Sequence, residues 1–348
     1  MDIGYSIFSM PADRYREAGV DLDAGARATA KIAELAASTR TSLSWGKVGG
    51  FGGMVRVPPD VRDPILVTST DSVGTKVLVA AGANRHDTIG EDLVNHCVND
   101  ILVHAARPIA FLDYVAVASV DPDTVAAIVE GVARGCRAHD MALAGGEVAE
   151  MPDLYQPGHY DLAGTIIGVV SEGDALHGDR VRPGDVLVGY ASTGLHTNGY
   201  SLARRIVFDQ LGLDMASEIP ELGTSTADAL LTVHRSYHAS VSSVLQRVHA
   251  LAHITGGGLP GNLPRSLPDG CGASIDTSTW QVPPLFTFLQ EGGNVERNEM
   301  FDVFNMGIGL VAIVPSDAVD EVQTAARGAD VPTWVIGEVV RGQGVQLH

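Results

Sequence analysis

The sequence predicts an α+β protein built from two mixed α/β domains. Three observations carry that reading. The chain has 348 residues and 45% hydrophobic composition, enough for two cores. Strand and helix patterns alternate from Ile65 to about Val170. A second such series starts at Asp185, beyond a polar, glycine-containing break from Ser171 to Pro183. The expected domains are therefore residues 1–174 and 175–348.

Taken in order, the first fifty residues carry a helix-like segment near Ala24 to Ser38. They end in Gly49-Gly50-Phe51-Gly52-Gly53, which fits a flap closing over phosphates through its N–H groups, or a flexible linker. The apolar run Ile65-Leu66-Val67 reads as a strand, and Asp87 or Thr88 can cap a helix reaching past Asp100. Ile109 to Val120 reads as a strand. Asp121-Pro122-Asp123-Thr124 then opens a helix with cap and N1 proline in order. Met141 to Ala144 is a short strand expected to end at Gly145-Gly146-Glu147, and Leu162 to Val170 is another. The second series holds a strand from Asp185 to Ala191, a helix beginning near Asn198, and a long helical region from Thr226 to Val248. Strands are expected near Leu251, Ala273 and Gly307.

The formal net charge of −19 excludes a broad nucleic-acid surface, which needs clustered Lys and Arg. Cys97, Cys136 and Cys271 are widely spaced and form no Cys-x-x-Cys, so reduced thiols are expected. With no bilayer-length apolar run and no basic-then-apolar leader, the expectation is a cytoplasmic protein without membrane contact.

The stretch Thr70-Asp71-Ser72-Val73-Gly74-Thr75-Lys76 directly follows the strand-like run. It offers a carboxylate for a metal, a glycine for close approach, and a hydroxyl and ammonium for phosphate. These are the parts of a magnesium-nucleotide site, though not in P-loop order. Asp71, Asp100, Asp113 and Glu147 lie near strand or helix ends as candidate metal ligands; each alone also fits a cap or structural hydrogen bond. Asp113, inside Phe111-Leu112-Asp113-Tyr114-Val115, needs a partner or an ion if buried.

In the second half, Ser192-Thr193-Gly194-Leu195-His196-Thr197-Asn198-Gly199 leads into a helix and fits an anion site, with His196 able to donate a proton. Gly256-Gly257-Gly258-Leu259-Pro260-Gly261 formally matches a dinucleotide fingerprint. Pro260, Pro264 and Pro268 deny it the long helix that motif requires, so a phosphate-contacting loop is the better reading. His234 and His238, at helical i, i+4 spacing, lack a third zinc ligand.

Together these segments resemble the phosphoribosylformylglycinamidine cyclo-ligase family over nearly the whole chain. The match begins at Tyr15-Arg16-Glu17-Ala18-Gly19-Val20-Asp21 and takes in Gly49 to Gly52, Thr70 to Lys76, His86 to Gly90 and Val98-Asn99-Asp100. It continues through Phe111 to Tyr114, Gly145 to Pro152, Tyr160 to Gly164, Gly194 to Leu202, His253 to Gly258 and Phe304 to Gly309. The chain departs from family usage at Ser72 (usually Gly), at Val233-His234 (usually Pro-Thr) and at Ala26 (usually Asn).

The resemblance implies an ATP- and Mg2+-dependent ring closure in purine biosynthesis. It also implies a homodimer whose N-terminal domains share a β-barrel, and a C-terminal sheet covered by helices. It assigns His196, Asp100 and Lys76 to catalysis, and Asp71, Asp100 and Glu147 to the metal. Gly50, Phe51, Gly52, Gly53, Thr75, Lys76 and Asn99 would contact ATP. Glu147, His196, Thr197, Asn198, Gly257 and Gly258 would contact a small-molecule substrate. Rival readings within the superfamily are selenophosphate synthetase, which would need an N-terminal reactive cysteine, and the hydrogenase maturation factor, which would end in one. Thiamine-monophosphate kinase lacks the Gly-Gly-Glu-x-Ala-Glu-Met-Pro segment. A nucleotide-binding but inactive paralogue is the reading outside catalysis.

Overall fold

The structure, a computed structural model, describes residues 19–46 and 49–348; the Tyr15-to-Ala18 part of the resemblance lies outside them. Helix α1 (Leu22–Ser38) starts where the Asp21 carboxylate accepts from the Asp23 and Ala24 N–H groups. A small hairpin, β1 (Ser44–Trp45) with β2 (Met54–Val55), presents the glycine patch at its tip. The N-terminal sheet follows from β3 (Pro64–Ser72), α2 (Lys76–Ala83), α3 (Ile89–Leu102), β4 (Arg107–Val117), α4 (Pro122–Ala138), β5 (Ala142–Glu150) and β6 (Tyr160–Ser171). Asp121 caps α4 through Asp123 and Thr124, with Pro122 at N1 as the sequence predicts.

The sheet order is β3-β6-β4-β5, antiparallel except for the β4–β5 pair. Helices α3 and α4 cover one face of it. The other face is left open, with Leu66 57% and Tyr114 38% exposed. Strand β5 runs straight through Gly145-Gly146-Glu147 instead of ending there. The register explains why: Gly146 pairs with Asp113, and a Cβ at Gly146 would lie 2.0 Å from the Asp113 carboxylate. Asp113 is buried, and no cation among the described residues offsets that burial, so its pKa is pushed up to about 7. Burial thus favours its protonated form over the anion.

The second half forms a six-stranded mixed sheet from β7 (Val186–Ala191), β8 (Ala250–His253), β9 (Cys271–Ile275), β10 (Ile308–Val314), β11 (Thr333–Arg341) and β12 (Val345–Leu347). Its order is β8-β10-β7-β11-β9-β12, and only the β9–β12 pair is parallel. Every residue of β10 is buried. Ile308, Val311 and Ile313 enter a core continuous with the first half, and Leu310, Ala312 and Val314 enter a second one.

The expected long helix from Thr226 to Val248 is broken. Helices span only Thr226–Leu230 and His238–Val241, followed by a 3-10 turn from Ser242 to Arg247. Between them the backbone is claimed by the first half: Asp92 accepts from the His234 N–H (2.7 Å), and Asn99 Oδ1 accepts from the Tyr237 N–H (2.9 Å). Among the described residues no helix is long and apolar enough to cross a membrane.

Candidate functional site

Side chains alternate along β3, so Ser69 and Asp71 face α3 while Thr68 and Thr70 face away. His96 and Asp100 lie one turn apart on α3 and so share a side. Ser69 Oγ donates to Asp100 Oδ2 (3.0 Å), and His96 Nε2 lies 2.9 Å from Asp71 Oδ2 and 3.7 Å from Asp100 Oδ2. From the second half, the end of β8 brings His253 Nδ1 within 2.9 Å of Asp100 Oδ1. His96 Nε2 is sealed from solvent, and no well-oriented hydrogen bond serves it among the described residues.

Burial works against both carboxylates as anions. The imidazoles of His96 (at Asp71) and of His253 and His96 (at Asp100) outweigh it and hold both below the usual aspartate range. At His96 burial is likewise outweighed, here by Asp71 and Asp100, and its pKa is raised. At His253 burial wins and its pKa is lowered. Ser69, Asp71, Asp100 and His253 line a cavity of about 380 Å3 between the halves, together with His104, His177, Thr255, Asn262 and Arg265. That volume suits a small-molecule ligand.

Three expected site residues are instead sealed inside. Lys76 is 0% exposed; its ammonium pairs with Asp92 (2.8 Å) and donates to the carbonyls of His196 (3.2 Å) and Thr232 (2.8 Å). Burial depresses the Lys76 pKa and raises that of Asp92, each opposed by the partner. An ammonium held this way reaches no phosphate, so the expected triphosphate contact is corrected. Asn99 is also fully buried, donating to the Arg235 carbonyl and pinning Tyr237. His196 is buried with φ of +61°, its Nε2 accepting from the Thr193 N–H (3.1 Å), and burial drives its pKa well below the histidine range. Gly309 makes room for it, since a Cβ there would lie 2.6 Å from the ring. In this arrangement the neutral ring carries its proton on Nδ1, which is buried without a hydrogen-bond partner among the described residues.

The Thr197 hydroxyl is taken up between His96 Nδ1 (2.7 Å) and His234 Nδ1 (3.2 Å). Asn198 is half-buried and faces Gly256, where an added Cβ would meet its Oδ1 at 3.4 Å. Thr75 Oγ1 meets Ser201 Oγ across the junction (3.1 Å). Gly257 and Gly258 both take positive φ, and a Cβ on Gly258 would strike the Phe301 carbonyl at 1.8 Å. The side chain of Asn262 ties this loop through the carbonyls of Thr255, Gly256 and Gly258. The loop stops after a five-residue helix, as its prolines require.

Glu147 and the Gly50–Gly53 hairpin tip stand apart from Asp71. The row Asp71–Gly164–Asp113–Gly146 crosses three strand gaps, about 14 Å. Glu147 is exposed on the open face, and Gly53 packs against the Ala144 carbonyl beside it. Within one chain, then, Asp71 and Asp100 meet but Glu147 does not join them. Ser72 causes no strain, because its backbone is not in the positive-φ region.

Residues that sequence reasoning passed over are His96, Ser69, Asn262 and Arg265. The His96-x-x-x-Asp100 spacing was the available signal for the first. His234 is not on a helix with His238; it lies buried, stacked on His196 at 4.0 Å. Two carboxylates with a hydroxyl beside them on a cavity wall suit a divalent ion, and the orphaned His96 nitrogen points to the same place.

The fold and this junction define a two-module class. Residues 53–170 match the family described as AIR synthase related protein, N-terminal domain, and residues 182–348 match its C-terminal domain. The chain is 48% identical over 334 residues to phosphoribosylformylglycinamidine cyclo-ligase of Trichlorobacter lovleyi, covering 95% of this chain and 96% of that one. It is 43% identical to the same enzyme of Alkaliphilus metalliredigens, covering 96% and 97%. Among solved structures it is similar to thiamine-monophosphate kinase from Stenotrophomonas maltophilia (TM-score 0.69, 20% identity, 90% of this chain and 94% of that one). Similar too is E. coli HypE, a hydrogenase maturation protein (TM-score 0.62, 18% identity, 92% of each chain). Those two likenesses concern the fold alone. The chain belongs to the phosphoribosylformylglycinamidine cyclo-ligase family.

Proposed function

We propose that this protein closes the ring of formylglycinamidine ribonucleotide to aminoimidazole ribonucleotide, consuming ATP and releasing ADP and phosphate. The observation that carries the reading is the convergence of Asp71 and Asp100, from two elements, on the wall of a cavity between the halves. The reaction needs such a place. An amide is a weak electrophile, and its oxygen leaves poorly. Transfer of the γ-phosphoryl group to the formyl amide oxygen breaks the bond to ADP and makes that oxygen part of a phosphate ester. The amidine nitrogen then attacks the same carbon, phosphate departs with the oxygen, and the nitrogen sheds a proton. The chain's task is positioning and charge neutralisation.

Asp71 and Asp100 would hold magnesium, which when bound neutralises phosphoryl charge. Both carboxylates stay ionised at neutral pH, since their pKa values lie below the ordinary range. Arg265 on the cavity wall, with Asn198 and the Gly256–Gly258 loop nearby, would hold the ribonucleotide. Lys76 and Asn99 support the site by shaping it. A homodimer built on the open sheet face, with its exposed Leu66 and Tyr114, would account for the distant Glu147 and glycine hairpin. These would then serve a site shared with a partner. The domains would divide near residue 174.

The test is turnover of purified protein with formylglycinamidine ribonucleotide, ATP and magnesium, following ADP and the aromatic amine together. Equal release of both is expected. ADP without the amine would assign a sister kinase-like activity instead.

A further inference from the structure

The polar cluster at the junction contains four histidines whose hydrogen bonds can be assigned in sequence. Asn99 fixes the starting point: its Oδ1 accepts from the Tyr237 N–H and its Nδ2 donates to the Arg235 carbonyl, so the amide cannot be reversed. Asn99 Nδ2 lies 3.2 Å from His234 Nε2, which must therefore be an acceptor and leave the proton on Nδ1. His253 Nε2 lies 3.3 Å from that same acceptor, so it must carry a proton. A neutral His253 then aims a bare Nδ1 lone pair at Asp100 Oδ1, 2.9 Å away. Two acceptors face each other at that distance only with a proton or a metal ion between them.

A second histidine arrives at the same point. Thr197 Oγ1 accepts from His234 Nδ1 (3.2 Å) and lies 2.7 Å from His96 Nδ1, so His96 has only Nε2 left to offer the carboxylates. His96 Nε2 faces both carboxylates, where a divalent ion would displace any proton it carries. This buried nitrogen has no well-oriented partner among the described residues and lies 2.9 Å from Asp71 Oδ2 and 3.7 Å from Asp100 Oδ2. One ligand atom each from His96, Asp100 and His253 fall within 4.8 Å of one another. Ligand atoms about 2.1 Å from a common ion stand about 3.0 Å (cis) to about 4.2 Å (trans) apart, and the 2.9 and 3.7 Å separations lie at or inside the edges of that span.

We infer that His96 and His253 join Asp71 and Asp100 in a mixed nitrogen–oxygen site for a first-row divalent ion such as Zn2+ or Co2+. The inference rests on the proposed metal role of the two carboxylates and changes its chemistry. Magnesium takes oxygen ligands and gains little from imidazole, whereas cobalt and zinc gain much. Thr197, Asn99 and His234 become the outer groups that set the tautomers of the two ligands. The ion also balances two carboxylate charges on the cavity wall.

The test uses the full-length protein. Co2+ added as the chloride is expected to bind at one per chain, at least tenfold more tightly than Mg2+, with visible absorption of a nitrogen-liganded ion. Bound Mn2+ is expected to show 14N couplings by pulsed EPR, a measurement that needs no variant. His96→Gln and His253→Gln should each weaken Co2+ binding on the order of 10- to 100-fold while changing Mg2+ affinity less than threefold. Mn2+ bound to the wild type without 14N couplings would overturn the inference, as would equal affinity for Co2+ and Mg2+. The two readings fail separately. Missing couplings with intact ring closure would remove only this one. Clear couplings without turnover would remove only the proposed reaction.

Discussion

Two charged clusters, built from the same kinds of residue, join the halves of this molecule. At one, Lys76 and Asp92 face each other with neither side chain exposed. At the other, Asp71 and Asp100 have side chains 43% and 22% exposed on a cavity wall. In the first, every donor proton of the ammonium is spent on protein: a carboxylate and two carbonyls. In the second, two carboxylates and two imidazoles converge with room left over. The contrast separates groups that hold the fold from groups able to do chemistry, and it does so by solvent access rather than by residue type.

The comparison can be broken most forcefully at the sealed pair. Lys76→Met strands Asp92 as an uncompensated buried charge and should cost about 3–5 kcal/mol in urea unfolding. Pairing it with Asp92→Leu should recover much of that loss; if the double variant is no more stable than the single one, the pair is not the source. Asp113, sealed without a lysine, sharpens the point with opposite sign. Its folded pKa of about 7 stands above the ordinary aspartate value of 3.8, so the folded state keeps a proton that the unfolded chain releases. Stability should therefore fall as pH rises from about 4 to 7. Asp113→Asn should remove that slope and stabilise the protein by about 2–4 kcal/mol at pH 8, read as a Tm difference that vanishes near pH 4.

At the open cluster, Asp71→Asn should lower ring-closing turnover about 100-fold, or about 2.7 kcal/mol, with Tm nearly unchanged. Near-normal turnover at ordinary magnesium would remove Asp71 from the metal. The smallest effect expected is at Gly309→Ala. The added carbon meets the Tyr237 hydroxyl at 2.1 Å and the His196 ring at 2.6 Å, costing about 1–3 kcal/mol. Turnover per folded molecule should hardly change if His196 only packs.

Much of the fold was legible because its signals are local. Asp21 and the Asp121-Pro122 pair mark helix starts by their own side chains, and alternation along β3 places Asp71 inward. The segment after Leu230 was not legible. Its helical pattern loses to hydrogen bonds from Asp92, Asn99 and Lys76, residues some 140 positions earlier. The site shows the same division. Asp71 and Asp100 were readable as carboxylates at element ends. Lys76, in the same motif, opens α2, and its inward turn depends on Asp92, whose burial no spacing announces. The histidines escaped for a related reason: His96, His234 and His253 come from three distant segments and become a cluster only in space.

Lys76 also bears on how such a protein can be taken apart. Its ammonium is satisfied only when the carbonyls of His196 and Thr232 are in place, so each half holds hydrogen-bonding groups that the other half completes. Cut at the linker and expressed separately, neither half would be a self-sufficient folding unit. Mixed together, they should reassemble as a pair or not fold at all. While that one nitrogen is shared, the two modules are not exchangeable parts.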